Sequence, residues 1–351
     1  MAVFPTSPDE LTPDWLGPRL APGRVLRAVA HDGIGTGQMA MSLRLTLDWE
    51  SPADDLPATF VAKVPSADPT SRATGVATGA YAKEHLFYSE IAPSTRARTA
   101  RCVVNEFDVE SQEFLLVLED LAPARVGDQL KGCSVEQAEI AIDVAAALHA
   151  SWWESPRLSE LESWMGGAPT AERQAQMDML WALGWAQFLE RHEPKFSPQE
   201  RDLAERFGAG LSAWMGGRTG PITVVHGDFR IDNMLFGADW MVPVDWQTTT
   251  LGEGVSDVAY FLGASLLPSD RRLHEERLVH RWCHGVAERG VVTPAWNDVW
   301  DRYRRYSFSG FLMAVVASFL TQRTDRGDEM FWVMASRHLA QARDLDAGAL
   351  L

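Results

Sequence analysis

The segment VVHGDFRIDNMLF, residues 224–236, sets one His, one Arg, one Asn and two Asp within eight residues, between apolar ends. Burying so many polar groups is costly unless each finds a partner or a ligand. Asp228 in this segment can accept or orient the proton of a hydroxyl, and the amide oxygen of Asn233 can ligate a cation. Twelve residues after Asn233 the apolar run MVPV leads into Asp245. A strand-end carboxylate together with an amide oxygen supplies the hard oxygen donors that magnesium prefers. Upstream, Lys63 interrupts the apolar run TFVAKVP. An edge or solvated lysine is the ordinary occupant of such a position, but an ammonium fixed by a carboxylate can hold phosphate oxygens. Glu84 and Glu90 are the candidate partners, and Glu84 is preferred because it opens an E-x-x-F-Y run anchored by Phe87 and Tyr88. Gly33, Gly35 and Gly37 stand just before an alternating segment. Glycines there let backbone N–H groups approach phosphate oxygens closely, although a glycine-rich hairpin turn has the same appearance.

The elements that must position these residues change character along the chain. MSLRLTLDW alternates, with Met41, Leu43, Leu45, Leu47 and Trp49 on one face, which predicts a half-buried antiparallel strand. Residues 59–65 form a second strand, with Lys63 on the face of Val61 and opposite Phe60, Ala62 and Val64. EFLLVLED, residues 113–120, is apolar on both faces and reads as a central strand. Residues 79–93 have helical spacing and stop at Pro93. After Asp120 the period lengthens. Ser134 and Gln137 have the form of a capping box ahead of a long helix with Ala138, Ile142, Ala145, Leu148 and Trp152 on one face. Helical patterns follow at 171–191, 198–215, 269–289 and 296–347. The fold class is therefore α+β, with a strand-rich lobe over residues 1–120, a helical lobe over 121–351, and a cleft expected between them.

Composition narrows the function. The 351 residues carry 46% hydrophobic and 23% charged side chains, as a soluble globular chain does, and a net charge of −16. That charge argues against non-specific binding to nucleic acid or to anionic lipid, where a basic surface would be expected. Cys102, Cys133 and Cys283 form no CxxC pair, so neither a disulfide framework nor a zinc site is expected and a reducing cytoplasmic setting fits. The first residues lack the basic and apolar regions of a signal peptide. The apolar run from Phe308 to Leu320 is too short to cross a membrane and reads as a buried helix.

The spacing H-x-D-x-x-x-x-N of His226, Asp228 and Asn233 matches the catalytic loop of phosphoryl-transfer enzymes. Together with PVDWQ and LGEGVSDVAYFL, it resembles the aminoglycoside phosphotransferase and choline kinase superfamily. FLLVLEDLAP, ALHASWW and LTPDWL further resemble its ecdysteroid kinase-like branch. The resemblance runs from about Leu11 to the last helix. It implies a protein kinase-like two-lobed fold with a small antiparallel-sheet N-lobe, a large helical C-lobe, and ATP and magnesium as cofactors. It implies Asp228 as catalytic base, Asn233 and Asp245 as magnesium ligands, and Lys63 on the ATP phosphates with Glu84 as its ion-pair partner. Val117, Leu118 and Glu119 would meet adenine through their backbone. His226 would brace the loop and Asp257 would brace it from the following helix, although Asp257 also suits a helix cap.

The chain departs from the protein kinase pattern: D-W-Q stands where D-F-G would, and no A-P-E segment follows. This points to a small-molecule hydroxyl as acceptor. Arg230 and Asp232 take no role from the resemblance, and an exposed loop salt bridge is the ordinary reading of Arg230. Trp152, Trp153, Trp164, Trp181, Trp185 and Trp214 are candidates for an apolar acceptor pocket, with core packing the plainer reading. Two alternatives accompany the kinase: a non-catalytic nucleotide-binding pseudokinase, and a kinase of a hydroxyacyl-CoA-type substrate.

Overall fold

The computed structural model describes residues 3–35, 39–50 and 55–351. It divides into two compact units, one of Met1–Ser94, Thr99–Pro123 and Val244–Thr248, the other of Thr95–Arg98, Ala124–Pro243 and Thr249–Leu351.

In the first unit α1 (Pro13–Leu20) starts at a proline, where the missing N–H costs no helical bond. It precedes β1 (Leu26–Ile34), β2 (Ala40–Trp49) and β3 (Thr59–Pro65). Then come α2 (Pro69–Ala77), α3 (Ala80–Leu86), β4 (Cys102–Asp108) and β5 (Glu113–Glu119). The five strands make one antiparallel sheet in the order β1-β2-β3-β5-β4. Alternation sorts the side chains as expected: Leu43, Leu45 and Leu47 of β2, Phe60, Ala62 and Val64 of β3, and Leu115 and Val117 of β5 form one core. The opposite face of β3 is left to Val61 and Lys63. The predicted single helix over 79–93 is instead α3 followed by a π-helical turn, Phe87–Ile91. That turn buries Phe87 and Tyr88 and leaves Glu90 exposed.

The second unit begins with β6 (Arg125–Val126), α4 (Val135–Trp152), α5 (Leu158–Met165), α6 (Ala171–His192), α7 (Pro198–Ala209) and α8 (Leu211–Gly216). Short strands β7 (Ile222–Val225), β8 (Met234–Phe236), β9 (Met241–Pro243) and β10 (Thr250–Glu253) follow. It ends with α9 (Val255–Ser265), α10 (Pro268–Glu288), α11 (Trp296–Tyr306), α12 (Ser309–Leu320) and α13 (Asp325–Asp344). The capping box forms as read: Gln137 N donates to Ser134 Oγ at 3.2 Å, and Ser134 N to Gln137 Oε1 at 3.1 Å. The helical pattern at 198–215 is two helices, broken at Gly210, and that at 296–347 is three.

β7 pairs with β10, and β8 with β6 and β9, so the polar segment of residues 226–233 is carried between two small ladders. From Asp257 to Ser265, α9 is buried on every side, as its near-continuous apolar sequence requires. Trp181 and Trp185 stack at 5.7 Å, Trp181 meets Phe207 and Phe311 edge-on, and Trp214 packs against the same cluster. Trp181 is core with Trp185 and Trp214 half-buried against it, Trp152 is buried as well, and Trp153 and Trp164 are half-buried. Among the described residues no helix is long and apolar enough to cross a membrane.

Candidate active site

In the first unit Lys63 meets Glu84. Its Nζ lies 2.8 Å from Glu84 Oε1, 2.6 Å from Glu84 Oε2 and 2.8 Å from Asp245 Oδ1. Strand β3, helix α3 and the segment after β9 each supply one of the three. Lys63 and Glu84 are buried, whereas the Asp245 side chain is 26% exposed. Burial alone would push the Lys63 ammonium down, but Asp245 and Glu84 outweigh it and hold the group above its ordinary value. Burial pushes Glu84 above the usual carboxylate range, with Lys63 pulling the other way and Asp245 adding to the rise. One ammonium between two carboxylates leaves a formal charge of about −1 in a poorly solvated place, which suits an added cation. Asp245 adopts a left-handed conformation, φ +68°. Its neighbour Trp246 is fully buried and stacks on Phe87 at 3.7 Å, and the Trp246 backbone N–H donates to Glu84. Gln247 Nε2 reaches Asp245 Oδ2 at 3.3 Å.

Gly33 lies inside β1 opposite Leu43, and Gly35 has φ +74° just beyond that strand. Gly37 lies outside the described residues. Val117, Leu118 and Glu119 are in the paired strand β5, and the Glu119 N–H is taken by the Arg101 carbonyl at 2.8 Å.

In the second unit the segment 226–233 is pinned by Asp257 from the first turn of α9. Asp257 Oδ2 accepts from His226 N at 2.7 Å, and Oδ1 from Gly227 N at 3.0 Å. Gly227 has φ +82°, a conformation that a β-carbon would strain. His149 of α4 lies behind, with Nε2 3.2 Å from Asp257 Oδ2. Trp282 Nε1 donates to His149 Nδ1 at 2.9 Å, so the His149 proton sits on Nε2 and points at Asp257. His226 is fully buried, and its Nδ1 accepts from the Asp228 N–H at 3.3 Å, closing the turn on itself.

Asp228 gathers donors. Its Oδ1 accepts from the Tyr260 hydroxyl at 2.6 Å and its Oδ2 from Asn233 Nδ2 at 2.8 Å. Arg230 Nε lies 3.1 Å from both oxygens. Burial would raise the Asp228 carboxyl, but the Arg230 charge, the Tyr260 hydroxyl and Asn233 outweigh it and hold the group below the usual range. Arg230 also donates to Asp232 at 3.1 Å, and with its side chain 16% exposed it is a half-buried clamp rather than a surface salt bridge. Asp232 Oδ1 accepts from Gln129 N at 2.7 Å, which ties the loop to the segment after β6. The Asn233 amide nitrogen is used on Asp228, which leaves its carbonyl oxygen as a hard donor. The Asn233 amide oxygen here and the Asp245 carboxylate of the first unit are, each by itself, donors of the kind that magnesium takes.

Sequence reasoning missed Tyr260, His149 and Trp282. Tyr260 could have been found, because it lies three residues after Asp257 on the same helical face. His149 reaches Asp257, and Trp282 reaches His149, only through packing of distant helices.

Comparison with known proteins places this architecture. The family model "Phosphotransferase enzyme family" (APH) matches residues 81–306. Choline kinase from Cryptosporidium parvum superposes with a TM-score of 0.56 at 10% identity, covering 92% of this chain and 91% of that one. Ethanolamine kinase from Plasmodium vivax superposes with a TM-score of 0.52 at 10% identity, covering 91% and 81%. The GDP complex of aminoglycoside 2'-phosphotransferase-IIIa does so with a TM-score of 0.56 at 13% identity, covering 91% and 94%. At such identities the likeness speaks to the fold. A stretch of 50 residues is 48% identical to part of mouse acyl-CoA dehydrogenase family member 10, amounting to 13% of this chain and 5% of that protein. The matching family model does not distinguish the ecdysteroid kinase-like branch. The chain has the two-lobed α+β fold of the kinase-like proteins and belongs to the APH phosphotransferase enzyme family.

Proposed function

We propose that this protein is a small-molecule kinase that moves the γ-phosphoryl group of ATP, with magnesium, to a hydroxyl group of its substrate. The observation that carries this reading is Lys63 held between Glu84 and Asp245, residues 21 and 182 positions away along the chain. An ammonium fixed in that way is a preset contact for nucleotide phosphates. Asp245 and Asn233 would each offer a hard oxygen to magnesium. The metal, when bound, supplies neutralisation of the charge on the phosphates. Backbone at the end of β5 would meet adenine, and Gly33, Gly35 and Gly37 would give the phosphates close N–H approach.

Asp228 would accept the hydrogen bond of the acceptor hydroxyl and hold its oxygen toward the γ-phosphorus. As the new P–O bond forms and the β–γ bridging bond breaks, ADP leaves and the hydroxyl proton passes to Asp228. A carboxylate held below its usual range is a weak proton acceptor, so orientation is the larger part of its contribution. His226 and Asp257 would keep the loop rigid beneath it. Lys63, Asp228, Asn233 and Asp245 are all present, which weighs against a pseudokinase.

A second reading of the acceptor, a hydroxyacyl-CoA-type substrate, is favoured by the partial match to the mouse protein named for acyl-CoA chemistry. Both readings are tested by transfer of labelled γ-phosphate from Mg-ATP, or Mg-GTP, to pooled sterols, amino alcohols, sugars, aminoglycosides and hydroxyacyl compounds. Asp228→Asn serves as control. It should lose at least about 100-fold of turnover while keeping nucleotide affinity. Turnover near that of the unaltered protein would remove Asp228 from its role.

A further inference from the structure

We propose that Tyr260 is the positioning residue for Asp228, fixing the rotation of its carboxylate from outside the loop. The inference rests on the phosphotransfer reading given above. The terminal torsion of an aspartate joins an sp³ to an sp² carbon, and its energy profile is broad, so the side chain alone does not set where its oxygens point. External donors must do so. Asn233 and Arg230 belong to the same short segment as Asp228 and move with it. Tyr260 does not: its hydroxyl reaches Asp228 Oδ1 at 2.6 Å from the middle of α9.

That helix is well suited as a ruler. Asp257, one turn earlier, holds the backbone N–H groups of His226 and Gly227. Two residues at i and i+3 on one rigid face thus hold both ends of the functional group, the backbone that carries it and the oxygens that act. The Tyr260 ring is itself held. It packs edge-on to His338 at 5.5 Å, and His338 is anchored by Nδ1 to the Ser307 carbonyl at 3.0 Å. A β-carbon on Gly310 would come within 1.8 Å of His338 Nε2, and one on Gly263 within 2.5 Å of its Nδ1. The imidazole therefore fills a slot that only glycines leave open. Burial and the adjoining Asp228 charge hold the Tyr260 phenol well above its ordinary range, so it remains a donor.

The test is Tyr260→Phe, which removes one oxygen and keeps the ring. The readouts are Mg-ATP turnover, KM for Mg-ATP, and thermal stability, each measured alone and in the Asp228→Asn background. The expected result is a fall in kcat of roughly 10- to 100-fold, with KM for Mg-ATP changed less than about twofold. In the Asp228→Asn background the same change should alter the residual rate less than about twofold, because there is no carboxylate left to aim. Equal loss in both backgrounds, or a rise in KM that follows a loss of thermal stability, would show a packing role only and overturn the proposal. If the unaltered protein shows no turnover that depends on Asp228, the phosphotransfer reading fails by itself. The crystal structure of Tyr260→Phe then decides the clamp separately: an Asp228 carboxylate displaced by about 0.5 Å or more upholds it, and one superposable on the parent overturns it.

Discussion

Lys63 sits on β3 where its neighbours Ala62 and Val64 point into a hydrocarbon core, and it alone turns its charge to the other face. Two carboxylates make that burial tolerable. Lys63→Met should leave Glu84 and Asp245 facing each other without a cation, a loss on the order of 3–5 kcal/mol if neither carboxylate protonates. Urea denaturation should register it, and Mg-ATP should no longer raise the melting temperature. Lys63→Met combined with Glu84→Leu should recover much of the stability but none of the nucleotide effect. A double variant that Mg-ATP still stabilises would assign Lys63 to the fold alone. At this scale the sequence was informative wherever motif and period coincided. Lys63, Glu84, Asp228, Asn233 and Asp245 are legible because a charge inside an apolar strand or a polar loop between apolar ends demands a partner. Arg230 was legible as a residue but not as a clamp, because its half-burial depends on how the loop packs.

At the scale of elements, α9 links the loop to the helical core. Its Asp257 collects the N–H groups of His226 and Gly227 and the His149 ring at one carboxylate. Asp257→Asn keeps the shape but gives up one acceptor oxygen and brings two unwanted donors to the site, at a cost of about 2–4 kcal/mol. Chemical denaturation should show that loss, and turnover should fall with it. An Asn variant of parental stability would mean that the loop is held elsewhere. The sequence showed α4 through its capping box and apolar stripe, and it showed β2 through strict alternation. It did not show the break between α11 and α12, where Ser307 and Phe308 interrupt the helical pattern with neither glycine nor proline between the amphipathic α11 and the apolar α12. The start of α13 did leave a trace: the Thr324 hydroxyl caps Gly327 N at 3.0 Å ahead of Asp325. The His149–Asp257 contact spans 108 positions and carries no local signal at all.

Across the whole molecule, a net charge of −16 makes acid the natural probe of stability, and one buried base responds with a known sign. Burial pushes the His338 imidazole down to about 4, and the Arg271 and Arg337 charges push in the same direction. In the unfolded chain the same group titrates near about 6.5. Between those values the unfolded state binds the proton and the folded state does not, so stability rises with pH across that window. The contribution is fully present above about pH 6.5 and is lost as pH falls toward about 4, a swing on the order of 3 kcal/mol. His192, pushed down to about 4 chiefly by burial, acts in the same direction. Urea midpoints measured from about pH 7.5 to about pH 4.5 should therefore fall steeply. In His338→Asn, whose amide can still donate to the Ser307 carbonyl, the fall should be shallower by the His338 share, even if the variant starts from a lower midpoint. Parallel slopes for the two proteins would place the acid sensitivity elsewhere, with His192 the next group to substitute. Because His338 also supports the Tyr260 ring, a His338→Asn protein that keeps its fold at pH 7.5 should show a lowered kcat with little change in KM for Mg-ATP, linking the acid response of the core to the alignment of Asp228.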